Sequence, residues 1–433
     1  MITRREIYLD SNATHPILPS VRKGLSEALL SGDGALGNPS SIHRHGQKAK
    51  KSVAELRDAL CQFVGRGDGD EFILLSGATE AINLAMRGFT ADRAAEGRKT
   101  FILTSEVEHS AILDTVNCLA VPHKILGVDR HGQLNNTEAL ATVQEAITSD
   151  FDVLICLQLC NNETGVAFEL DELFSQIQTQ FAPKPMTHMH KIKGGRYPMT
   201  PQRVWILVDA AQALGKLDMS RVRRAFHYAD YAAISGHKLG GPAGIGCLWL
   251  RSHSPFKVQM TGGMQEKKRR AGTLNSLGAL GFKMALQDWQ KNGETYRQRW
   301  TQLRKLMVEE LLKVEGLVLH GMSPEGELPA LSNTLNFHVE GCPEESLLMA
   351  LDLDGFCVSS GSACNSGSLK PSHVLSALGY TREQALTSVR VCMGVETTED
   401  EILAFTQSVR EKTEQIRQAR IKSAEMLLDI HPA

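Results

Sequence analysis

The sequence lacks the features that mark several classes of protein. Aromatic residues make up only 6% of its 433 residues, and the formal net charge is −2. Without an excess of basic residues, the chain has no electrostatic signature of binding to nucleic acid or to an anionic membrane surface. No apolar run approaches the ~20 residues that a membrane-spanning helix requires. We therefore expect a globular protein that binds neither a membrane nor, directly, nucleic acid.

The nine cysteines also lack a recognisable framework, because they form no C-x-x-C pair and match no zinc or disulfide spacing. Most lie in apolar stretches, which indicates buried thiols in a reducing compartment. The N-terminal sequence M-I-T-R-R-E-I-Y-L-D has no apolar signal-peptide core and is predicted to form a strand. The expected location is the cytoplasm. The H-x-H pairs at 43/45 and 188/190 have no evident third ligand, so no metal site is predicted.

Apolar strands alternate with helical patterns over residues 16–280, which predicts an α/β domain with a mostly parallel sheet. The clearest helical pattern runs over 79–87. The predicted strands are 71–75, 100–104, 153–159, 204–208 and 231–234.

Residues 281–433, together with 1–15, are predicted to form a second, smaller α+β domain. The final helix is expected to begin at a capping box of Thr398 and Glu401 and to run to about residue 428. A segment rich in Pro, Gly, Met and basic residues at 183–203 indicates a surface insertion. The other elements predicted for this domain are helix 289–314, strand 332–339, helix 343–351 and strand 355–358.

A polar cluster follows each of the five predicted strands of the larger domain. In chain order the clusters are S-G-A-T-E, S-E-V-E-H, C-N-N-E-T-G, D-A-A-Q and S-G-H-K. Ligands of open α/β sheets bind at the carboxyl ends of the strands. The five clusters therefore predict one shared site.

Two of these clusters favour pyridoxal phosphate (PLP) as a cofactor. Lys238 follows a strand that should be buried, and a lysine there can form a Schiff base with an aldehyde cofactor. Asp209 ends another apolar strand, where an unpaired carboxylate is expensive to bury. A PLP site needs such an Asp beside the pyridine nitrogen. The cluster G-A-T-E at 77–80 opens a helix, whose free N–H groups can bind the phosphate.

The sequence resembles the cysteine desulfurases of the aspartate-aminotransferase-like PLP superfamily, class V group, over nearly its whole length. The fold that this resemblance implies is the type I PLP-dependent transferase fold, with a mostly parallel seven-stranded sheet in the large domain. The motifs that carry the resemblance are Y-L-D-S-N-A-T near the start, G-N-P-S-S at 37–41, S-G-A-T-E at 76–80, E-H at 108–109, N-N-E-T-G at 161–165, V-D-A-A-Q-A-L-G-K at 208–216, S-G-H-K at 235–238, Q-E-K-K-R-R-A-G-T at 265–273 and S-S-G-S-A-C at 359–364.

The resemblance implies roles around the cofactor ring. Lys238 corresponds to the lysine that binds PLP covalently, and Asp209 to the partner of the pyridine nitrogen. Gln212 corresponds to the hydrogen-bond donor to the phenolic oxygen. His109 corresponds to the residue that stacks on the ring and moves protons.

Further roles concern the phosphate and the substrate. Asn162 and Arg390 correspond to groups around the substrate carboxylate, with Asn162 also beside the cofactor. Thr273 would reach the phosphate of the neighbouring subunit, which implies a homodimer. The phosphate ligands implied within one subunit are Ala78, Thr79, Ser235 and His237.

Cys364 lies in the small-residue loop 359–368, which offers no large apolar side chain to anchor it. The resemblance identifies it as the thiol that attacks the sulfur of L-cysteine. The products would be alanine and a persulfide, whose sulfur passes to an acceptor protein. The acceptor pathway stays open among iron–sulfur cluster assembly and thiolation of tRNA or DNA.

Three alternatives remain at this point. Selenocysteine lyase shares N-N-E-T-G and D-A-A-Q-A-L-G-K, although the loop with Cys364 favours the sulfur enzyme. Transamination on the same scaffold would leave Cys364 unexplained. A non-catalytic scaffold of a sulfur-transfer pathway is disfavoured because Lys238 and Cys364 are both present.

Overall fold

The computed structural model describes residues 6–32, 37–65, 69–183, 200–323, 325–327, 330–343, 346–360 and 370–430, with side chains to 423 in the last helix. The loop position of Cys364 and residues 184–199 of the predicted insertion lie outside these ranges. No helix within them is long and apolar enough to cross a membrane.

A seven-stranded sheet forms the centre of the fold, with strand order β2-β8-β7-β6-β5-β3-β4. Strand β8 is antiparallel to both of its neighbours, and the other adjacent pairs are parallel. The strands are β2 (Glu71–Leu75), β3 (Lys99–Ser105), β4 (His123–Leu126), β5 (Phe151–Gln158), β6 (Val204–Asp209), β7 (Tyr231–Ser235) and β8 (Gly246–Leu250).

Helices cover both faces of this sheet, and successive residues of a strand point to opposite faces. In β5, Ile155 packs on the side of α2 and α5 to α8, while Leu154 packs on the side of α3 and α4. Both side chains are fully buried, so the sheet is apolar on both faces. The helices are α1 (Pro19–Ser31), α2 (Arg44–Val64), α3 (Ala78–Ala95), α4 (Ser110–Leu119), α5 (Asn136–Thr148), α6 (Leu170–Phe181), α7 (Met219–Tyr228) and α8 (Ser276–Leu311).

Two smaller sheets lie beyond the main one. Strands β9 (Leu317–Leu319), β10 (Thr334–Val339) and β12 (Val389–Cys392) form an antiparallel sheet in the order β12-β10-β9. The N-terminal β1 (Ile7–Tyr8) pairs in parallel with β11 (Phe356–Cys357). The remaining helices are α9 (Ser346–Leu353), α10 (His373–Ala377), α11 (Arg382–Leu386) and α12 (Glu399–Ile430).

The five strands predicted for the larger domain are all present. The predicted capping box also forms, since Thr398 N–H donates to Glu401 Oε2 at 3.0 Å and Glu401 N–H donates to Thr398 Oγ1 at 3.3 Å. Strands β4 and β8 were not predicted. Three of the four residues in β4 are exposed, so this strand lacks the apolar run that predicts a buried strand. Strand β8 directly follows a glycine-rich turn, and glycine is unfavourable in strands.

The predicted start of the long helix at residue 289 is wrong, because α8 begins at Ser276. Its first turns contain Gly278 and Gly281, which lower helix propensity. Packing requires the second of these glycines, since a Cβ at Gly281 would lie 2.5 Å from Cγ of Pro242. Tertiary packing thus outweighs local propensity at this helix end.

Candidate active site

A cavity of about 410 Å³ lies at the carboxyl ends of β2, β3, β5, β6 and β7. Each of the five polar clusters contributes to its wall, so the predicted shared site is present. The site residues predicted from sequence that line it are Ala78, Thr79, His109, Asn162, Asp209, Gln212, Ser235, His237, Lys238 and Arg390.

One end of the cavity is formed by the start of α3. Gly77 occupies the N-cap position and offers no side-chain acceptor, so the first N–H groups of the helix stay available to a ligand. Ser235 at the end of β7 is 2% exposed, and its Oγ has no hydrogen-bond partner in the part of the chain that the structure describes. The residue before α3 lies close against β8, because a Cβ added at Gly246, the first residue of β8, would lie 2.7 Å from Cα of Gly77. These features suit an anion such as a phosphate.

Lys238 lies just beyond β7, in a single 3-10 turn (His237–Leu239). Its Nζ donates hydrogen bonds to the carbonyl oxygens of Asn12 and Ala13, both at 2.7 Å. The N-terminal segment therefore forms part of the site and holds the lysine side chain at the cavity wall.

Asp209 is the last residue of β6 and is 8% exposed. Its Oδ1 accepts a hydrogen bond from the N–H of Ala211 at 2.9 Å. Burial raises the pKa of Asp209, while that hydrogen bond and the nearby side chains of His109 and Lys238 act in the opposite direction. A buried carboxylate of this kind favours a cationic partner such as a protonated ring nitrogen.

His109 caps the N-terminus of α4, where its Nδ1 accepts a hydrogen bond from the N–H of Ala111 at 3.0 Å. Burial lowers the pKa of His109, which favours the neutral ring at neutral pH. Because Nδ1 is an acceptor, the neutral ring carries its proton on Nε2.

Arg390 lies on β12, lines the same cavity and is 4% exposed. Its Nη2 donates to Oδ1 of Asp10 at 2.8 Å, and its Nη1 contacts the carbonyl oxygen of Asn162 at 3.4 Å. Its Nε is buried without a hydrogen-bond partner among the described residues. The guanidinium thus retains a donor for an anionic ligand.

Among the described residues, one predicted site residue is not brought into the cavity. Thr273 is exposed and does not line it. Cys364 lies outside the described residues.

The aminotransferase class-V family matches residues 7–182 and 198–405 of the chain. Cysteine desulfurase IscS of Dictyoglomus turgidum is 32% identical over 413 residues, which cover 94% of both chains. Cysteine desulfurase IscS of Salmonella paratyphi B is 34% identical over 419 residues, 95% of this chain and 93% of the relative. The chain belongs to the cysteine desulfurase family.

A solved structure agrees with this membership. The NifS-like protein of Rickettsia africae superposes with a TM-score of 0.77 at 25% identity, over 95% of this chain and 100% of that chain. The desulfurase has the type I fold of PLP-dependent enzymes predicted from its sequence, with a mostly parallel seven-stranded sheet.

The residues present fit the PLP cofactor of the desulfurase family. The unpartnered Ser235 Oγ and the uncapped start of α3 are suited to the phosphate, and the buried carboxylate of Asp209 is suited to the ring nitrogen. Lys238 supplies the amine that an aldehyde cofactor requires. Hydrogen-bond donors for the phosphate, a carboxylate for the ring nitrogen and an amine for the aldehyde thus line one cavity.

Sequence reasoning missed several residues that line the desulfurase site. Asn12 was included in the quoted motif Y-L-D-S-N-A-T but was given no role, because nothing in local spacing places the N-terminus beside β6. Cys160 also lines the cavity, and burial raises the pKa of this thiol to about 12. The other lining residues without a predicted role are Ala13, Ser76, Gly77, Glu80, Ile82, Gln158 and Ala211.

Proposed function

We propose that this desulfurase converts L-cysteine to L-alanine and passes the sulfur through a persulfide on Cys364 to an acceptor protein. The convergence of Lys238, Asp209, His109 and Arg390 on one cavity is the observation that supports this proposal. A carboxylate, an amine and an imidazole around a pocket with an arginine suit chemistry on an α-amino acid.

Each polar group has a defined task in this proposal. When bound, PLP withdraws electrons from Cα of the amino acid and so makes its proton acidic. Asp209 keeps the ring nitrogen protonated, and Gln212 donates to the phenolic oxygen. Lys238 holds the cofactor and then accepts the Cα proton. His109, with its proton on Nε2, stacks on the ring and moves protons at the substrate.

The substrate carboxylate is assigned to Arg390 and Asn162. Arg390 is buried and always charged, so it can bind a carboxylate in a site from which water is excluded. Ala78, Thr79, Ser235 and His237 are assigned to the cofactor phosphate, where N–H and O–H groups meet the start of α3.

Cys364 is assigned as the sulfur acceptor. Its sulfur forms an S–S bond with the substrate sulfur while the Cβ–S bond of cysteine breaks, and protonation of the remaining carbon chain gives alanine. Cys160 is unsuited to this task, because its pKa of about 12 leaves almost no thiolate at neutral pH. A sequence reason for choosing Cys364 is its place in a loop of small residues.

The assembly proposed is a homodimer in which Thr273 reaches the cofactor phosphate of the partner subunit. Exposure of Thr273 on a segment away from its own cavity is consistent with a contact in another subunit. We also propose that residues 16–280 form the PLP-binding domain and that 1–15 with 281–433 form the smaller one. The sulfur acceptor is proposed to be a scaffold or sulfurtransferase protein in the cytoplasm.

Purified protein incubated with L-cysteine tests the activity. The expected products are equal amounts of alanine and transferred sulfur, with a borohydride-trapped cofactor on Lys238 located by mass spectrometry. Lys238→Ala should yield neither product nor a trapped lysine. Release of selenium from selenocysteine with no reaction on cysteine would instead identify a selenocysteine lyase.

A further inference from the structure

Lys216 is a buried lysine that the roles above leave unused. It is 2% exposed and lies in the turn that follows β6, below the cavity rather than in its wall. Its Nζ donates to Oε1 of Gln212 at 2.6 Å and to Oδ1 of Asn12 at 3.0 Å. Both acceptors are neutral amides.

This placement is energetically unfavourable without a compensating role. In the described part of the chain, no carboxylate forms an ion pair with Lys216, so its charge is buried against amide oxygens alone. Removing an ammonium group from water without a counter-charge is among the most expensive burials in proteins. An apolar side chain of similar length would avoid this cost, which points to a functional reason for the amine.

The amine determines which way the Gln212 amide points and contributes to the orientation of the Asn12 amide. Because Nζ occupies Oε1 of Gln212, the Nε2 group of that amide must point to the other side, where it donates to the carbonyl oxygen of Asn12 at 2.9 Å. Oδ1 of Asn12 accepts from Lys216 and also from Nδ2 of Asn333 at 3.2 Å. Nδ2 of Asn12 donates to Oγ1 of Thr334 at 2.9 Å and to the carbonyl oxygen of Asn162 at 3.1 Å.

We propose that Lys216 is a positioning residue that fixes the amide of Gln212 and helps to hold that of Asn12, so that Gln212 presents its remaining N–H donor, not its carbonyl oxygen, to the phenolic oxygen of the cofactor. This inference rests on the proposed PLP role of Gln212. Through Asn12, the same amine also holds the backbone of Asn162, beside the substrate carboxylate.

Lys216 can donate both hydrogen bonds in either of its protonation states. Burial lowers the pKa of Lys216 to about 7, with a smaller effect of Lys238 in the same direction. A neutral amine still has two N–H groups, which is the number that the two amide oxygens require. The orientation of both amides is therefore maintained on each side of neutral pH.

The test is the pH midpoint of the absorbance of bound PLP, with the PLP dissociation constant as a second readout. A hydrogen bond donated to the phenolate oxygen favours its ionised form. Lys216→Met should therefore raise the midpoint and weaken PLP binding about tenfold, as expected for the loss of one buried hydrogen bond. Lys216→Arg, which keeps the donors, should stay close to the wild type.

A double-mutant cycle separates positioning from plain electrostatics. If Lys216 acts through Gln212, Lys216→Met should shift the midpoint no further in a Gln212→Ala background. An equal shift in both backgrounds would mean that the buried charge acts directly, and would overturn the proposal. An unchanged midpoint in Lys216→Met alone would also overturn it. If Lys216→Met does not fold, Lys216→Gln, too short to reach both amides, takes its place.

Lys283→Met is the matched control. Lys283 lies on α8 and pairs with Glu55 at 2.7 Å, away from the cavity, so its loss should leave the midpoint unchanged. Failure of the proposed function appears differently, as wild-type protein that forms no alanine from cysteine. Because PLP absorbance can be measured without turnover, that result would leave the test of Lys216 intact.

Discussion

The guanidinium of Arg390 and the carboxylate of Asp10 form a partly buried ion pair at 2.8 Å, between residues 380 positions apart in the chain. The second carboxylate oxygen of Asp10 accepts a hydrogen bond from Oγ of Ser359. Asp10 therefore links Arg390, which is proposed to bind the substrate carboxylate, to Ser359, the first residue of the loop 359–368 that contains Cys364.

Asp10→Asn should lower the KM for L-cysteine. Asparagine retains an oxygen for Arg390 and an N–H group for Ser359, but removes the negative charge that competes with the substrate carboxylate. We expect KM to fall roughly threefold to tenfold, the effect of one typical hydrogen bond. Steady-state alanine formation measures it.

The matched control is Glu396→Gln, which removes the exposed pair with Arg22 and should leave KM unchanged. A rise in KM for Asp10→Asn would show that the carboxylate orients the arginine more than it competes with the substrate.

Ser235→Ala should stabilise the apo protein but weaken its binding of PLP. Its Oγ is buried without a partner among the residues that the structure describes, so its removal should stabilise the apo protein by about 1 kcal/mol. The same change removes a phosphate ligand and should weaken PLP binding about tenfold. Urea unfolding of the apo protein and a PLP titration measure the two effects.

Ser388→Ala provides the comparison, because this buried hydroxyl does donate a hydrogen bond, to the carbonyl oxygen of Ala385 at 2.9 Å. Its loss should destabilise the apo protein and leave PLP affinity unchanged. Equal effects of the two substitutions on PLP affinity would contradict the assignment of Ser235.

Glu108→Gln should make the apo protein more stable at alkaline pH. Burial raises the pKa of Glu108 to about 8, from an ordinary value of 4.5. The protonated form is therefore preferred on folding, and its contribution to stability is complete below pH 4.5 and is lost as the pH rises through 8. Glutamine mimics the protonated acid at every pH.

The expected gain from Glu108→Gln is on the order of 4 kcal/mol at pH 8.5 and close to zero at pH 4.5. Urea unfolding at several pH values measures it. The exposed Glu414 on α12, changed to Gln, supplies the control and should produce no such trend. A pH-independent effect of Glu108→Gln would mean that the carboxyl group does not titrate in this range.

Subunit mixing tests the shared site. Lys238→Ala and Thr273→Ala should each be inactive or impaired alone. In a hybrid dimer, the Lys238 of one subunit meets the intact Thr273 of the other, so one complete site forms per hybrid. Random reassociation should then recover about a quarter of wild-type activity. No recovery, or a fully active monomer in sedimentation, would exclude a contribution of Thr273 from the partner subunit.

The sequence predicted the parts of the site that local order determines. Lys238 and Asp209 each follow an apolar strand, and parallel strands bring their carboxyl ends to one edge of a sheet. The cap of α3 was likewise predictable from G-A-T-E. The roles around the cofactor came from the family resemblance, because nothing in the spacing distinguishes Arg390 from an ordinary strand residue.

The rest depends on contacts between distant residues, which a single sequence does not specify. Asn12 meets Lys216 across 204 positions, and Asp10 meets Arg390 across 380. The start of α8 was missed for a similar reason, since close packing on Pro242 and not helix propensity accounts for Gly281. These features depend on packing between distant parts of the chain, so local sequence patterns could not predict them.

Single-turnover alanine formation by Cys364→Ser tests the central claim most directly. A serine hydroxyl is a poor acceptor of sulfur, and position 364 is more than 100 residues along the chain from Lys238 and Asp209. The variant should therefore bind PLP with the wild-type spectrum, form no alanine from L-cysteine and carry no persulfide. Alanine formation at the wild-type rate would contradict sulfur transfer through Cys364.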